Sequence, residues 1–269
     1  MKILYAASEA APYAKSGGLA DVAGALPKAL VRDGIDCRVI MPLYGDLKFK
    51  DTLTYVTNFS VPVGWRSQYC GLFKAEVDGV TYYFLDNEYY FKRDGIYGHY
   101  DDAERFAFFS RAVLEIIPHI DFKPDIIHTN DWQTALVPVY YSTMYANREG
   151  YEGIKNIFTI HNIQYQGVYG KEILGDVFGL GEQHEQLLDF GGTMLVVSHD
   201  RYFINKLSSR VLSIGMNGAE SFEGGYDDYA AKIAEQSAEK PKATKTMGKG
   251  GEDYKRRKER ESELRRTIT

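Results

Sequence analysis

Short apolar runs alternate with helical periods from the first residues onward. Ile3 to Ala7 is an unbroken apolar run that leads into a Gly-containing loop. The spacing of Leu19, Val22, Ala23, Leu26 and Leu30 then lines one face of a helix. Cys37 to Met41 predicts a second buried strand, stopped by Pro42. Strand, loop, helix and strand open a βαβ unit. The Val/Tyr/Phe alternations at 54–63 and 69–85 predict a hairpin-rich insertion, and a helix is expected over Ala103–Ile117. Asp125–His128 and Ile157–Ile160 are short apolar strands separated by a helical stretch from Trp132 to about Asn147, kinked or started late by Pro138. This alternation predicts an α/β fold, a mostly parallel sheet covered on both faces.

Around Gly181–Gly192 the pattern changes. A strand is expected at Thr193–Ser198, followed by a short helix, a strand at Arg210–Ile214, a Gly-rich hairpin and a helical stretch at Tyr226–Ala238. Lys240–Gly251 reads as a flexible linker. Glu252–Arg266 has no apolar face, but its opposite charges four apart (Glu252 with Arg256, Lys255 with Glu259) fit a solvated helix.

With 269 residues, 44% hydrophobic and 26% charged, the chain has length for two domains and too much apolar surface for bulk disorder. A net charge of −5 disfavours a nucleic-acid binder spread over the whole surface. Residues 240–269, however, carry 11 Lys and Arg against 5 Asp and Glu, a net +6 that leaves −11 on the rest. Cys37 and Cys70 are too few for a disulfide framework or a metal site, so a reducing cytoplasm and no metal are expected. No stretch approaches the roughly 18 apolar residues of a membrane span. The apolar opening also meets Glu9 too early for a signal peptide.

Three loops concentrate polar chemistry. Lys15-Ser16-Gly17-Gly18-Leu19 lies between the first strand and first helix, where backbone N–H groups and the helix dipole receive anions and Lys15 can neutralise a phosphate. It is neither a Walker A loop nor a dinucleotide fingerprint, and a Gly-Gly pair also fits an ordinary tight turn. His128-Thr129-Asn130-Asp131-Trp132 emerges at the carboxyl end of the Asp125–Ile127 strand, where open α/β sheets bind ligands; Asn130 or Asp131 also reads as a helix N-cap. His161-Asn162-Ile163-Gln164-Tyr165-Gln166-Gly167 repeats the pattern after the next strand and suits sugar hydroxyls, although His161 alone also fits a buried histidine bonded to a neighbour. Three such loops from one sheet converge on one edge.

Residues 1 to about 185 resemble the N-terminal half of bacterial glycogen (starch) synthases, ADP-glucose-dependent glucosyltransferases of the GT-B fold. The likeness lies in MKILYAASEAAPYAKSGGLADVAGALPKAL, DNEYYFKRDGIYG, PDIIHTNDWQTALVP and FTIHNIQYQGVYG. It implies retaining transfer of glucose from ADP-glucose to the non-reducing end of an α-1,4-glucan. Lys15, Gly17, Gly18 and Asp21 are then expected on the donor side, and His161 and Asp131 beside the transferred glucose as the catalytic pair. His128, Asn162, Tyr90 and Tyr97 are expected along the sugar and acceptor cleft. Such chemistry needs a positive clamp on the departing diphosphate and dipoles aimed at an oxocarbenium-like sugar, with no metal or cofactor.

A complete enzyme of that family has a second Rossmann-like domain supplying most nucleotide contacts, and nothing after about residue 190 resembles it. The chain is therefore expected to be inactive alone. Leu187–Ile214 instead resembles the end of an ABC-F type ATP-binding cassette, with Ser198-His199-Asp200-Arg201 matching the switch segment in which His199 senses a γ-phosphate. FEGGYDDYAAKIAEQ and EDYKRRKERESELRR continue that likeness. With no Walker A loop, signature motif or Walker B acid pair present, ATP hydrolysis is not expected. The expected organisation is a synthase-like domain at 1–185, a partial cassette at 187–239 and a basic linker and helical tail at 240–269. RNA or ribosome contact through the tail is the alternative function, and no membrane partner is expected.

Overall fold

A computed structural model describes residues 1–162, 164–170, 172–181, 193–196, 204–206, 208–215 and 218–239. The chain falls into two compact units, Met1–His199 and Asp200–Thr269. The first contains an eight-stranded sheet. Its strands are β1 (Lys2–Ala6), β2 (Asp36–Pro42), β3 (Thr54–Val63), β4 (Arg66–Val77), β5 (Val80–Asp86), β6 (Ile126–Asn130), β7 (Lys155–Ile160) and β8 (Thr193–Val196). They lie in the order β3-β4-β5-β2-β1-β6-β7-β8.

From β5 through β8 every pairing is parallel. Leu4, Tyr5 and Ala6 of β1 are fully buried, as expected of a central parallel strand covered on both faces. The chain runs outward from β1 to β2, returns, and adds β6 on the other side of β1. The β1/β6 boundary is therefore a topological switch point, where the loops after the two strands diverge and leave a crevice.

One expectation needs correction. The 54–85 region is not a separate insertion, because β5 pairs parallel with β2 and β3–β4–β5 complete one side of the main sheet. A period of two marks a half-buried strand without naming its neighbour. The helical stretch from Trp132 starts late and irregularly, as expected from Pro138. It divides into a 3-10 turn (Trp132–Thr134), a short α-helix (Leu136–Tyr140) and a π-helical turn (Tyr141–Tyr145). Pro138 sits in the first turn of that short helix, where its missing N–H costs no intrahelical bond.

Two longer helices cover the sheet: α1 (Gly18–Arg32) and α2 (Asp102–Glu115). A bare Gly24 is required in α1, since a Cβ there would lie 2.7 Å from the Ala11 carbonyl oxygen. α2 buries nearly its whole circumference, including Arg105. Phe91 and Phe106 both flank that guanidinium, which donates through Nε to the Tyr90 carbonyl at 2.7 Å and through Nη1 to that of Ile96 at 3.2 Å. It also pairs with Asp102, whose other oxygen accepts from the N–H groups of Gly98 at 2.8 Å and His99 at 3.2 Å. The segment between Phe91 and α2 is thus tied by this buried ion pair, and Arg93 pairs with Asp101 within it.

In the second unit, β9 (Arg210–Gly215) and β10 (Gly218–Glu223) form an antiparallel hairpin followed by α3 (Tyr226–Glu239). Phe222 packs edge-on against Tyr229, 5.0 Å between centroids. His199 and residues 240–269 lie outside the described residues. Among the described residues no helix is long and apolar enough to cross a membrane.

Candidate active site

A cleft of 1260 Å³ opens at the β1/β6 switch point. The loop after β1 supplies Glu9, Ser16, Gly17 and Gly18, that after β6 supplies Asp131, Trp132 and Gln133, and that after β7 supplies His161 and Asn162. Tyr97 and Gly98, held by the Arg105–Asp102 pair, form a further wall.

The glycine loop is bare without its own conformation requiring it. Gly17 is extended, with φ −153°. A Cβ on Gly18 would meet nothing within 4 Å, and one on Gly17 would meet only Glu9 Oε1 at 3.9 Å. Beneath the loop, the buried Glu9 accepts hydrogen bonds from the Ser16 backbone N–H and, at 3.0 Å, from its hydroxyl. The loop is therefore fastened from inside while its outer backbone, at the N-terminus of α1, faces the cleft.

The Asp131 turn has the opposite character. Its φ of 58° and ψ of 176° are a conformation that favours glycine and costs roughly 1–3 kcal/mol in other residues. Three hydrogen bonds hold it there. Asp131 N–H donates to the Thr159 carbonyl at 2.8 Å, and Asp131 Oδ1 accepts from His161 N–H at 2.6 Å and Asn162 N–H at 3.4 Å. One carboxylate thereby ties the end of β6 to the end of β7.

Asn130 fixes the His161 ring. Its amide N–H groups donate to the carbonyls of Ala6 at 3.0 Å and His128 at 3.4 Å, leaving Oδ1 to accept from the Tyr5 hydroxyl and from His161 Nε2, each at 2.9 Å. A neutral His161 therefore carries its proton on Nε2 and keeps Nδ1 as an acceptor. Burial favours that neutral form, lowering the His161 pKa against the opposing pull of Asp131. Burial, reinforced by His161, also lowers His128 to about 4. His128 Nε2 lies 2.7 Å from Thr159 Oγ1, beneath the cleft.

The structure brings Gly17, Gly18, Tyr97, Asp131, His161 and Asn162 together on the lining. Lys15, Asp21, His128 and Tyr90 are not on it. Lys15 Nζ reaches Asp21 Oδ1 at 2.6 Å, an exposed pair outside the lining. Tyr90, expected along the acceptor cleft, has a fully buried side chain whose hydroxyl donates to Glu104 at 2.5 Å. Tyr97, expected in the same segment, does face the cleft, with its hydroxyl 2.7 Å from Ser8 Oγ. Burial and the neighbouring Glu9 raise the Tyr97 hydroxyl far above the ordinary range.

Sequence reasoning missed Glu9 and Gln133 on the lining and gave Trp132, within the predicted loop, no role of its own. An acid directly past the first apolar run was a readable signal for Glu9. Trp132 is framed by Phe106 at 5.1 Å and by Gly167, where a Cβ would fall 2.3 Å from the indole.

These features agree with the comparisons. The starch synthase catalytic domain model matches residues 2–207, and the chain belongs to that family. The match thus runs past residue 185. A glycogen synthase from Bacillus cereus is 52% identical over 198 residues, covering 72% of this chain and 42% of the relative. One from Caldicellulosiruptor bescii is 48% identical over 233 residues, covering 81% and 49%. The catalytic domain of starch synthase IV from Arabidopsis thaliana, solved bound to ADP and acarbose, superposes with a TM-score of 0.63 at 36% identity, covering 69% of this chain and 38% of that one. The α/β fold with its mostly parallel sheet is that of a GT-B glycosyltransferase catalytic domain. The chain spans less than half the length of these relatives.

Proposed function

We propose that this chain is the N-terminal, glucan- and diphosphate-holding half of a cytoplasmic glycogen-synthase-type glucosyltransferase that moves glucose from ADP-glucose to the non-reducing end of an α-1,4-glucan with retention. The observation that carries it is the meeting of the bare Gly17-Gly18 backbone with Asp131 and His161 across one cleft at the switch point. In this reading the α1 N-terminus receives the diphosphate, joined by Lys15 once it exchanges Asp21 for the incoming anion. His161 Nδ1 accepts a hydrogen bond from a hydroxyl of the transferred glucose. The Asp131 carboxylate supplies negative charge where the sugar becomes oxocarbenium-like, and Trp132, Tyr97 and Asn162 hold the sugar and acceptor. No metal or cofactor has a part in it. Binding is expected of these 269 residues, and efficient turnover only with a second donor-binding lobe.

Calorimetric titration with ADP tests the reading. Binding that weakens about tenfold in Lys15→Ala supports it. A folded chain that takes up neither ADP nor maltoheptaose at millimolar concentration overturns it.

The +6 charge of residues 240–269 and the cassette likeness of 187–269 carry a second reading, contact of the tail with RNA or the ribosome. Such binding should fall steeply with salt and vanish when residues 240–269 are deleted. Binding unchanged by that deletion removes it.

A further inference from the structure

The turn between β3 and β4 lies at the same edge of the sheet as the cleft. β4 is antiparallel to both β3 and β5, while β5, β2, β1 and β6 run parallel, so β3 ends at the edge where β1 and β6 end. Beyond the buried Val63, Gly64 closes against a distant part of the chain: at φ 56°, a Cβ there would collide with the Asp176 carbonyl oxygen. Asp176 ends the short helical turn Ile173–Asp176, which follows residues 164–168 of the cleft lining. Trp65 Nε1 donates to Asp176 Oδ1 at 2.9 Å.

Arg66 gathers these ends. Its Nη1 pairs with Asp176 Oδ2 at 3.6 Å, and its Nη2 lies 3.5 Å from the Asp176 carbonyl oxygen and 3.2 Å from Glu104 Oε2. Glu104 Oε1 accepts from the Tyr90 hydroxyl at 2.5 Å. Tyr90 belongs to the 87–98 segment that brings Tyr97 and Gly98 to the cleft. One guanidinium, itself off the lining, therefore joins two walls of the cleft: 87–98 through Glu104 and Tyr90, and 164–180 through Asp176.

Stability alone does not account for this arrangement. The Asp176 side chain is 63% exposed, and ion pairs so open to water are screened and add little to folding. Against that small gain stands the Arg66 Nε, buried with no hydrogen bond among the described residues. What the pairing does hold is a stretch with few other anchors. Tyr165 and Val168 are 69% and 83% exposed, so apart from the seat of Gly167 on Trp132 little core packing fixes the 164–168 wall.

We infer that Arg66 is a positioning residue: by pairing with Asp176 and Glu104 at once, it sets the spacing between the Tyr97 and Gly98 wall and the 164–168 wall, and with it the hold of the cleft on a glucan chain. The inference rests on the reading above for the ligand of the cleft. The diphosphate side does not depend on Arg66, because Glu9 fastens the 16–18 loop from within.

Calorimetric titration of the full 269-residue chain with maltoheptaose and with ADP tests it, read beside amide-resolved NMR of the same samples. Arg66→Met is expected to weaken maltoheptaose binding about tenfold, to leave ADP affinity within about twofold, and to shift the amides of Tyr97, Gly98 and residues 164–168 together. Asp176→Asn, an exposed change that keeps an acceptor for Trp65, is expected to weaken maltoheptaose about threefold and to add nothing further in the Arg66→Met background. Maltoheptaose binding unchanged in Arg66→Met overturns the inference. So does an equal loss of both ligands with a lowered thermal midpoint, the mark of a purely structural brace. Should Arg66→Met fail to fold, Asp176→Asn decides, and unchanged maltoheptaose binding in it overturns the inference. An unmodified chain that takes up no maltoheptaose counts instead against the glucan reading; the amides then decide, and Tyr97, Gly98 and 164–168 signals unmoved in Arg66→Met overturn the positioning role.

Discussion

Two turns bring backbone to the same cleft by opposite means. At Gly17-Gly18 the chain places glycine where neither φ nor packing demands it, and at Asp131 it keeps a carboxylate where the backbone favours glycine. The first turn is relaxed and bare; the second is strained and held by three hydrogen bonds. Glycine without a conformational cause points to something outside the fold that needs room. Strain tolerated for the sake of one side chain points to the use of that side chain.

The largest effect should come from the strained turn. Asp131→Ala removes the acceptor of two N–H groups while keeping the φ penalty, and should cost about 2–4 kcal/mol in urea unfolding. Asp131→Gly relieves the strain and should recover about 1–2 kcal/mol of that. Equal losses in the two variants would mean the turn is not strained.

Acid should find the same side of the cleft. His128 has its pKa lowered to about 4 from an ordinary 6.5, so the unfolded chain binds the proton more readily. Its contribution is fully present above pH 6.5 and is lost as pH falls toward 4. Over that window the unmodified chain should lose about 2–3 kcal/mol more stability than His128→Gln. Parallel pH profiles would contradict the burial of a neutral imidazole there.

The glycine turn should give the smallest change in folding and a clear one in binding. Gly18→Ala is expected to leave stability within about 0.5 kcal/mol, since its Cβ enters open space. ADP affinity should fall about tenfold in the same protein. A destabilised Gly18→Ala with unchanged ADP binding would reverse the contrast between the two turns.

Much of this frame was legible in the residues. The βαβ opening and the strands ending near His128 and Ile160 followed from apolar runs of strand length, and their carboxyl ends placed Gly17, Asp131 and His161 on one edge. What escaped depends on the third dimension. Arg105 has the spacing of an ordinary surface arginine on an amphipathic helix, and its complete burial between Phe91 and Phe106 appears only when the 87–98 segment folds over it. Tyr90 and Tyr97 are alike in sequence, yet one turns inward to Glu104 and the other toward Ser8 and the cleft. The joining of the 54–85 strands to the main sheet was hidden for the same reason: alternation records burial on one side, and pairing partners lie elsewhere in the chain.

The most direct test of the account is an amide-resolved NMR titration of the chain with ADP. The account predicts that the largest shifts fall at Ser16–Leu19, with smaller ones at Asp131–Trp132 and His161–Asn162, and that Gly18→Ala weakens them all together. Saturating ADP that leaves these amides unmoved, or moves residues elsewhere instead, would contradict the claim that the β1/β6 cleft holds the donor diphosphate.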